Sequence, residues 1–518
     1  MTEDQKKLLE TQLWNIANTL RGKMHADEFR DYILGFIFFK YLSERLHAYA
    51  NGILAQDGIE FSTIDETSPE GQEILAAVRE ETLDALGYFL APSELFTAIA
   101  KKGEQKGAFI IRELKTILGN IERSTMGAES EGDFDHLFED LDLDSTKLGR
   151  TVAARNEVIA KVLTHLDAID FGVDDVEADI LGDAYEYLIG QFASGAGKKA
   201  GEFYTPQAVS TLLARIVTVG KTRLKSVYDP TCGSGSLLLR VKREVKEVGD
   251  FYGQEQNRTT YNLARMNMIL HGVHYRNFDL KQEDTLEHPQ HEGMLFEAIV
   301  ANPPFSAKWS AKEILKNDDR YAPYGKLAPA SKADYAFVTH MLHHLDENGA
   351  MAIVLPHGPL FRGGAEGTIR EFIVREKNWL DAVIGLPENI FYGTGIPTCI
   401  MIFKKCREVD DVLFVDASGC FAKSKNQNVL APAHIDRIFD AFSQRTEEDR
   451  FSRRVPRQEI ANNGYNLNIP RYVDTYVAPP EIDLAAVALD LRRIETDMIA
   501  VDADIRRFCT ELGLESPV

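Results

Sequence analysis

The chain has 518 residues, of which 44% are hydrophobic and 27% are charged, a composition typical of a globular protein with roughly two to four domains. Its 80 acidic and 58 basic side chains give a formal net charge of -22, which disfavours a protein that binds a polyanion over its whole surface. Any contact with nucleic acid is therefore expected to be local or shared with a partner.

The cysteines and histidines argue against a disulfide framework and against a metal site. The five cysteines are odd in number, and none has Cys-x-x-Cys spacing. His340 and His344 are four residues apart, but no His-Glu-x-x-His motif accompanies them, so we expect no metal. Short apolar runs and an acidic amino terminus predict neither a membrane segment nor a signal peptide. We expect a protein of the reducing cytoplasm.

The first part of the chain has the periodicity of helices. Apolar residues such as Leu9, Leu13, Ile16 and Leu20 recur at three- and four-residue steps. The pattern predicts an all-helical amino-terminal domain over residues 1–170. An acidic stretch within it, residues 129–144, is predicted to be a solvated loop or the surface of a helix.

Strands that alternate with amphipathic helices begin near residue 225. This pattern predicts an α/β catalytic domain, residues 171–430, with a largely parallel, doubly wound sheet. The carboxyl-terminal region, residues 431–518, is predicted to begin with a loop-like segment that is basic at 450–457, and to end in a long amphipathic helix. The predicted strands are residues 226–229, 251–254, 278–283, 298–301, 350–355, 382–386 and 399–403.

The first motif with chemical meaning, Asp-Pro-Thr-Cys-Gly-Ser-Gly at residues 229–235, lies between a predicted strand and a helix. Glycines at such a turn let the backbone approach a ligand, and the amino terminus of the helix favours a carboxylate or phosphate. No GxxxxGK[ST] sequence is present, and Leu238 stands where a dinucleotide fingerprint needs its third glycine. The motif predicts a nucleotide-type cradle, unless the turn has a purely structural role.

Two further acids are predicted to follow the next two strands. Glu255 ends the second strand, where a ribose-binding carboxylate is expected in such folds. Asp284 follows the third strand and is suited to accept a hydrogen bond from an adenine amino group. Each acid taken alone is more typical of a plain surface residue. Together with Asp229 they predict three carboxylates along one edge of the sheet.

The fourth predicted strand ends abruptly in Asn302-Pro303-Pro304-Phe305. Proline restricts φ and has no backbone donor, so the strand is expected to break into a rigid loop. Open α/β sheets bind ligands at the carboxyl ends of their strands. The loop is therefore expected to hold an amide and an aromatic ring against a ligand.

The order of these motifs resembles that of a known family. Gly-Glu-Phe-Tyr-Thr-Pro at 201–206, then 229–235, then Asn302 to Phe305 resemble the S-adenosylmethionine-dependent DNA methyltransferases that methylate amino groups. The helical first domain, Leu-Pro-Glu-Asn-Ile-Phe at 386–391, Gly-Ile-Pro-Thr at 395–398 and the helical tail extend the likeness. Nearly the whole chain resembles the modification subunit of a type I restriction-modification system, with a Rossmann-like methyltransferase domain.

The resemblance implies a role for each motif. S-adenosylmethionine is the cofactor, and Glu255 and Asp284 correspond to its ribose and adenine partners. Asn302 to Phe305 hold the target adenine, which must leave the DNA duplex to be reached. Phe305 and Phe391, or the neighbouring Tyr392, stack on that base. The methionine portion of the cofactor is implied to contact Asp229, Cys232, Gly233, Ser234 and Gly235, covered by Glu202, Phe203, Tyr204 and Thr205.

The residue types suit methyl transfer to an adenine N6 amine, which is a poor nucleophile because its lone pair is delocalised into the ring. If the Asn302 side-chain oxygen and the Pro303 carbonyl oxygen accept both amine hydrogens, a pyramidal nitrogen is favoured whose lone pair points at the sulfonium methyl. The N4 amine of cytosine would fit the same loop. A protein-glutamine methyltransferase would share the Asn-Pro-Pro-aromatic motif, and an inactive scaffold could keep the same fold without the reaction.

Recognition of the DNA sequence is predicted to come from another chain, because only about a hundred residues follow the strand region and their last part is helical. The resemblance implies two modification subunits per specificity subunit and, for cleavage, a separate motor subunit. The terminal helix packs either on that partner or on its own core. Local phosphate contacts are expected from Lys198, Lys199, Arg453, Arg454 or Arg457.

Overall fold

The computed structural model describes residues 10–14, 16, 26–105, 107–171, 180–195, 205–391, 394–424, 427–476 and 483–518. By contact density the chain divides into two compact units, Met1–Asp474 and Thr475–Val518. The helices of the first unit are Ala26–Leu54 (α1), Pro69–Ala85 (α2), Phe96–Glu104 (α3), Ile111–Ser124 (α4), Glu131–Phe134 (α5), Val152–Asp167 (α6), Ile180–Gly195 (α7), Gln207–Val217 (α8), Ser236–Glu244 (α9), Arg258–Leu270 (α10), Asp334–His344 (α11), Gly358–Phe361 (α12), Gly364–Glu371 (α13), Pro432–Gln444 (α14) and Arg457–Asn462 (α15).

The amino-terminal part is helical, as the periodicity predicts, and no strand occurs between residues 26 and 171 among those described. Helix α4 shows why these segments form helices, since its buried residues recur at three- and four-residue steps. Ser68 and Thr151 cap α2 and α6 by accepting backbone hydrogen bonds from Gly71 and Ala154. Together these helices enclose one apolar core.

A nine-stranded sheet follows, in the spatial order β11-β8-β6-β7-β5-β4-β1-β2-β3. Strand β7 is antiparallel to both of its neighbours and β11 to β8, whereas the other pairs are parallel. Apolar clusters cover both faces of the sheet, so the α/β, doubly wound prediction is confirmed. The strands are Arg223–Asp229 (β1), Glu247–Glu255 (β2), Phe278–Gln282 (β3), Phe296–Ala301 (β4), Leu345–Pro356 (β5), Leu380–Gly385 (β6), Thr398–Lys404 (β7), Asp411–Asp416 (β8) and Ser452–Pro456 (β11), with Ala422–Lys423 (β9) and Asn428–Val429 (β10) forming a separate hairpin.

Helix α10 joins the helical part to the sheet. Its Ala264 and Met268 lie in the core on one face of the sheet, whereas its Leu263, Met266 and Leu270 lie in the helical core. One helix thus contributes to two apolar cores.

The acidic stretch at 129–144 packs against the same helix. The Arg265 guanidinium donates to three backbone carbonyls of residues 132–135 at 3.0–3.2 Å, and Thr259 and Asn262 donate to Asp140 and Glu139. Most acidic side chains of this stretch are exposed and residues 131–134 are helical, in line with the predicted solvated loop or helix surface, but the sequence did not predict that α10 binds its backbone together with Glu139 and Asp140.

Two strands of the sheet were not predicted from the sequence. The seven predicted strands are present, but β8 and β11 add to them. Residues 450–457, predicted to be loop-like, include all of β11. Only Ser452 and Val455 of this strand are buried, so no apolar run marks it. Arg453 and Arg454 bind Glu459 and Asp411 instead. The sheet therefore extends beyond the domain boundary predicted at residue 430.

The second unit contains the predicted long helix, Leu484–Leu512 (α16), which Asp483 caps at its start and which ends at Gly513 in a left-handed conformation. Its apolar side chains are spaced alternately by four and three residues, the heptad pattern of helices that pack in pairs. None is buried, and Met498, for example, is 60% exposed. Within the described ranges, no helix combines the length and apolarity needed to cross a membrane. The heptad residues are Val487, Leu491, Ile494, Met498, Val501, Ile505 and Phe508.

Candidate active site

The predicted site residues follow four neighbouring strands at one edge of the sheet. Strand β1 pairs with β4 on one side and with β2 on the other, and β2 pairs with β3. This is where the strand order reverses, the position at which open α/β sheets bind ligands. Adjacent strands are about 4.8 Å apart, so the four strand ends span about 14 Å. In spatial order the strands lead to Asn302, Asp229, Glu255 and Asp284.

The turn after β1 requires glycine at two positions. Gly233 and Gly235 have φ values of 54° and 76°, in the left-handed region that side chains disfavour. The Cys232 N–H donates to the carbonyl of Gln254 at 3.0 Å, which joins the turn to the end of β2. Gly235 caps α9 without a side-chain acceptor, and the turn thus leads directly into the amino terminus of a helix.

Two carboxylates lie side by side beneath this turn. Glu255 accepts hydrogen bonds from the backbone N–H groups of Gly233, at 3.1 Å, and Asn257, at 2.8 Å. Asp229 accepts from the backbone of Thr231 at 2.9 Å. Burial raises the pKa of Asp229 to about 7, with the charge of Glu255 adding to the effect, and burial also raises the pKa of Glu255. Neither acid forms an ion pair with a described residue, so this place favours a cationic ligand.

The side chains of other predicted cofactor residues are buried or bonded within the protein. The Ser234 hydroxyl is bonded to that of Ser236 at 2.9 Å, and both hydroxyls are buried. The Cys232 thiol is buried as well, which raises its pKa well above the usual value. Asp284 accepts from the N–H groups of Leu286 and Glu287, and this ties its carboxylate into the turn after β3.

The Asn302 amide is held at one end only. Its Nδ2 donates to Oγ1 of Thr205 at 3.1 Å, whereas its Oδ1 is buried and accepts no hydrogen bond from any described residue. Nor does any described residue donate to the carbonyl oxygen of Pro303. A buried acceptor without a donor is costly, so the pair of oxygens is suited to a ligand that brings two N–H groups.

The aromatic rings near this loop contact each other. Phe305 and Phe391 meet edge to face, with ring centroids 5.5 Å apart and an interplanar angle of 82°. Phe305 is half-buried, but Phe391 is buried in the core of the sheet. Phe391 thus packs against the Phe305 ring from the side of the core.

Part of the predicted site lies outside the described residues, namely Glu202, Phe203, Tyr204 and Tyr392, together with Lys198 and Lys199.

Two family models match the chain and together cover most of it. One, described as N-6 DNA Methylase, matches residues 176–478, and the other, described as HsdM N-terminal domain, matches residues 9–166. The chain belongs to the N-6 DNA methylase family, as a type I restriction-modification methylase subunit.

Relatives and solved structures agree with this assignment. The type I restriction enzyme MpnII methylase subunit of Mycoplasma pneumoniae is 39% identical over 93% of this chain and 92% of its own length. The MjaIX methylase subunit of Methanocaldococcus jannaschii is 27% identical over 97% of this chain and 91% of its own. The crystal structure of a type I methyltransferase subunit from Streptococcus thermophilus superposes with a TM-score of 0.83 at 43% identity, over 90% of this chain and 100% of that one.

The group that fixes the end of the Asn-Pro-Pro-Phe loop in this methylase subunit was not predicted from the sequence. The buried Asp334 carboxylate accepts from Ser306 N at 2.9 Å and from Ser306 Oγ at 3.3 Å, and Arg362 compensates its charge at 3.2 Å. Ser306 needs such a partner because its φ of 51° is unfavourable for a residue other than glycine. The available signal was an aspartate at the first position of a helix that contains no other acidic residue.

One set of potential metal ligands was found among the described residues of the methylase subunit, Asp183, Glu186 and His271. Arg243 forms an ion pair with Asp183, and Arg240 lies 3.7 Å from Glu186. Desolvation and the neighbouring Arg243 lower the pKa of His271 to about 3. With two guanidinium groups at its side, the set is a salt-bridge cluster rather than a cation site.

Proposed function

We propose that this methylase subunit transfers a methyl group from S-adenosylmethionine to the N6 amine of an adenine flipped out of DNA. The observation that carries the proposal is the Asn302 amide: Thr205 holds its nitrogen, and its oxygen is buried beside the strand end that bears Asp229 and accepts from no described residue. A bound amine would supply the missing hydrogens.

The cofactor fits the donor side of the site. Its methionine end carries a cationic ammonium group, and the buried Asp229, which forms no ion pair with a described residue, lies at the glycine turn that we assign to that end. We assign Glu255 to the ribose and Asp284 to the adenine, in the order of their strands. The span of about 14 Å across the four strands suits an extended nucleoside with an amino-acid tail and a base next to it. When bound, the cofactor supplies an electrophilic methyl group on a sulfonium.

The acceptor side prepares the amine. Asn302 Oδ1 and the Pro303 carbonyl oxygen would accept its two hydrogens, which localises the nitrogen lone pair. As the nitrogen–carbon bond forms, the carbon–sulfur bond would break to leave a neutral thioether, and the nitrogen would lose one hydrogen as a proton to water. The flipped base stacks on Phe305, which Phe391 supports from behind. Pro303 and Pro304 restrict the backbone and so keep the two acceptor oxygens in place. Orientation of the amine therefore supplies much of the rate enhancement.

Partners complete the function. The family to which the chain belongs assembles restriction-modification enzymes, and we propose DNA, a specificity subunit shared by two copies of this chain, and a separate motor subunit as partners. The heptad face of α16 is exposed, and a helix of the specificity subunit would bury it. DNA-sequence choice would then lie in that subunit.

The test is methylation by the complex reconstituted with its specificity subunit. We expect N6-methyladenine in labelled DNA, and we expect Asn302→Ala to abolish transfer while the affinity for S-adenosylmethionine stays within about twofold, because the amide faces the acceptor. N4-methylcytosine as the product would change the assigned base. Unchanged turnover of the variant would overturn the mechanism, and a wild-type complex that binds the cofactor but transfers no methyl would indicate a scaffold.

A further inference from the structure

The segment directly after the catalytic loop, residues 306–333, is basic in a chain with a net charge of -22. We name it the basic segment. Its six cationic side chains outnumber its three acidic ones, Glu313, Asp318 and Asp319. The cations are Lys308, Lys312, Lys316, Arg320, Lys326 and Lys332.

Hydrogen bonds hold both ends of the basic segment together beside Phe305. The Ala333 N–H donates to the Ala307 carbonyl at 2.8 Å, and the Trp309 N–H donates to the Ala330 carbonyl at 3.0 Å. Lys308 and Lys332 lie within these two paired stretches. Because Lys308 is only three residues beyond Phe305, both lysines are placed next to the acceptor loop.

A buried arginine ties the middle of the basic segment to the donor side. Arg320 donates to the carbonyls of Thr285 and Leu286 at 2.8 and 2.9 Å, directly after Asp284. Asp318 binds the same guanidinium, whose side chain is 4% exposed. The basic segment therefore bridges the loops of both substrates and is held in one position.

The cations of the basic segment differ in burial and in whether an acidic side chain already binds them. Arg320 is buried, Lys312 binds Glu287 and Lys316 binds Glu313, each at 2.6 Å. Three lysines, in contrast, form no ion pair with any described residue. Of these, Lys308 and Lys326 are exposed and Lys332 is half-buried.

The arginines expected to contact phosphates are engaged elsewhere. Arg453 binds Glu459, Arg454 binds Asp411 and Arg457 binds Asp410, at 2.7–2.8 Å. The sequence-based expectation for these three is therefore not supported by the structure. Among the described residues, Lys308 and Lys332 of the basic segment lie next to the acceptor loop without an ion pair, and Lys326 lies four residues before Ala330 of the same paired stretch.

We propose that Lys308, Lys326 and Lys332 bind the phosphates of the DNA backbone beside the flipped base. The inference rests on the proposed function, because it takes DNA as the substrate. A flipped nucleotide must be held by its backbone, and lysines on a fixed segment next to the base pocket supply that hold without reading the sequence. Each phosphate that they neutralise releases condensed counterions.

The test is the salt dependence of DNA binding by the complex with the specificity subunit. We expect the slope of log affinity against log salt to become shallower by about 0.9 for each lysine in Lys308→Gln, Lys326→Gln and Lys332→Gln, and by their sum in the triple variant. Affinity should fall by the same factor for a duplex with the recognition site and for one with a scrambled site. Lys225→Gln is the control, since Lys225 is an exposed lysine near the amino end of β1, and its slope should equal that of the wild type.

A triple variant with the slope of the wild type and unchanged methyl transfer would overturn this inference and leave the proposed function intact. A wild-type complex that binds DNA but transfers no methyl to adenine would overturn the function instead. If the triple variant does not bind S-adenosylmethionine like the wild type, it is misfolded, and the three single variants then decide by the same slope criterion. A loss of affinity confined to the recognition site would assign these lysines to base reading and would also contradict the inference.

Discussion

Thr205 and Asn302 are 97 residues apart in the chain, yet the Asn302 Nδ2 lies 3.1 Å from the Thr205 hydroxyl oxygen. Since that oxygen accepts the N–H, the amide oxygen faces away from Thr205 and is left for the substrate. Thr205 precedes α8, whereas Asn302 follows β4. The segment that we assign to the cofactor thus also orients the group that we assign to the amine.

Removal of the Thr205 hydroxyl should slow methyl transfer. We expect Thr205→Val to lower kcat roughly fivefold to tenfold, the equivalent of about 1 kcal/mol for one hydrogen bond, because the amide can then rotate. Thr205→Ser keeps the hydroxyl and should restore most of the rate. Steady-state kinetics with labelled cofactor separate the two roles: a change in the KM for the cofactor alone would mean that Thr205 acts only in cofactor binding.

Cofactor binding should weaken in acid. The Asp229 carboxyl has a pKa of about 7 in the ligand-free protein, so below pH 7 it is largely protonated, and the ammonium of the cofactor must displace that proton. The ammonium itself stays protonated between pH 5 and 7, because α-amino groups titrate at about 7.7–8.0. Calorimetry should show affinity falling by up to about tenfold per pH unit over this range. The Asp229→Asn variant should bind the cofactor more weakly, and its affinity should depend much less on pH. A pH dependence equal to that of the wild type would refute the assignment of Asp229 to the ammonium group.

Loss of charge at Asp334 should disturb the acceptor loop without unfolding the protein. In Asp334→Asn the two bonds to Ser306 lose a charged acceptor, and we expect kcat to fall about tenfold, since charge-assisted hydrogen bonds contribute roughly 1.5–3 kcal/mol. Cofactor affinity should not change. Ser306→Gly is the matched control, because it keeps the N–H bond and suits the positive φ, and its kcat should stay near the wild-type value. The prediction fails if Asp334→Asn turns over like the wild type.

Arg320 should contribute strongly to stability. Its substitution by methionine leaves the buried Thr285 carbonyl without its donor and removes the guanidinium from Asp318 and Leu286, which should lower the free energy of unfolding by about 3 kcal/mol. Urea denaturation measures the change. Arg223→Met is the comparison, since Arg223 forms an exposed ion pair with Glu247 and its loss should cost less than about 1 kcal/mol. Equal losses of stability in the two variants would show that the buried hydrogen bonds of Arg320 contribute no more to stability than an exposed ion pair.

The heptad face of α16 should bind the specificity subunit. Ile494→Asp combined with Met498→Asp places charges on that face, and we expect the variant to co-purify with the specificity subunit far less than the wild type. Thr496→Asp lies on the opposite side of the helix and should assemble normally. Cofactor binding, measured in parallel, should be the same for all three proteins. Normal assembly of the double variant would give the helix another role.

The local features of the site were predictable from the sequence. Glycines at 233 and 235, prolines at 303 and 304, and acids just past apolar runs are properties of neighbouring residues, and the backbone conformations that they impose are local. The parallel sheet then brings the carboxyl ends of its strands to one edge. Asp229, Glu255, Asp284 and Asn302 were therefore predicted to lie together, and the structure places them on four adjacent strands.

Only the tertiary structure decided which polar groups, far apart in the chain, form hydrogen bonds and ion pairs with one another. Strand β11 has no apolar run and forms by pairing with β8, the acidic stretch at 129–144 is bound by α10, and Asp334 reaches back to Ser306. Such contacts depend on burial and on charge compensation between segments far apart in the chain, and neither is encoded in local periodicity. For the same reason the sequence could name Asn302, but only the fold showed that Thr205 orients it.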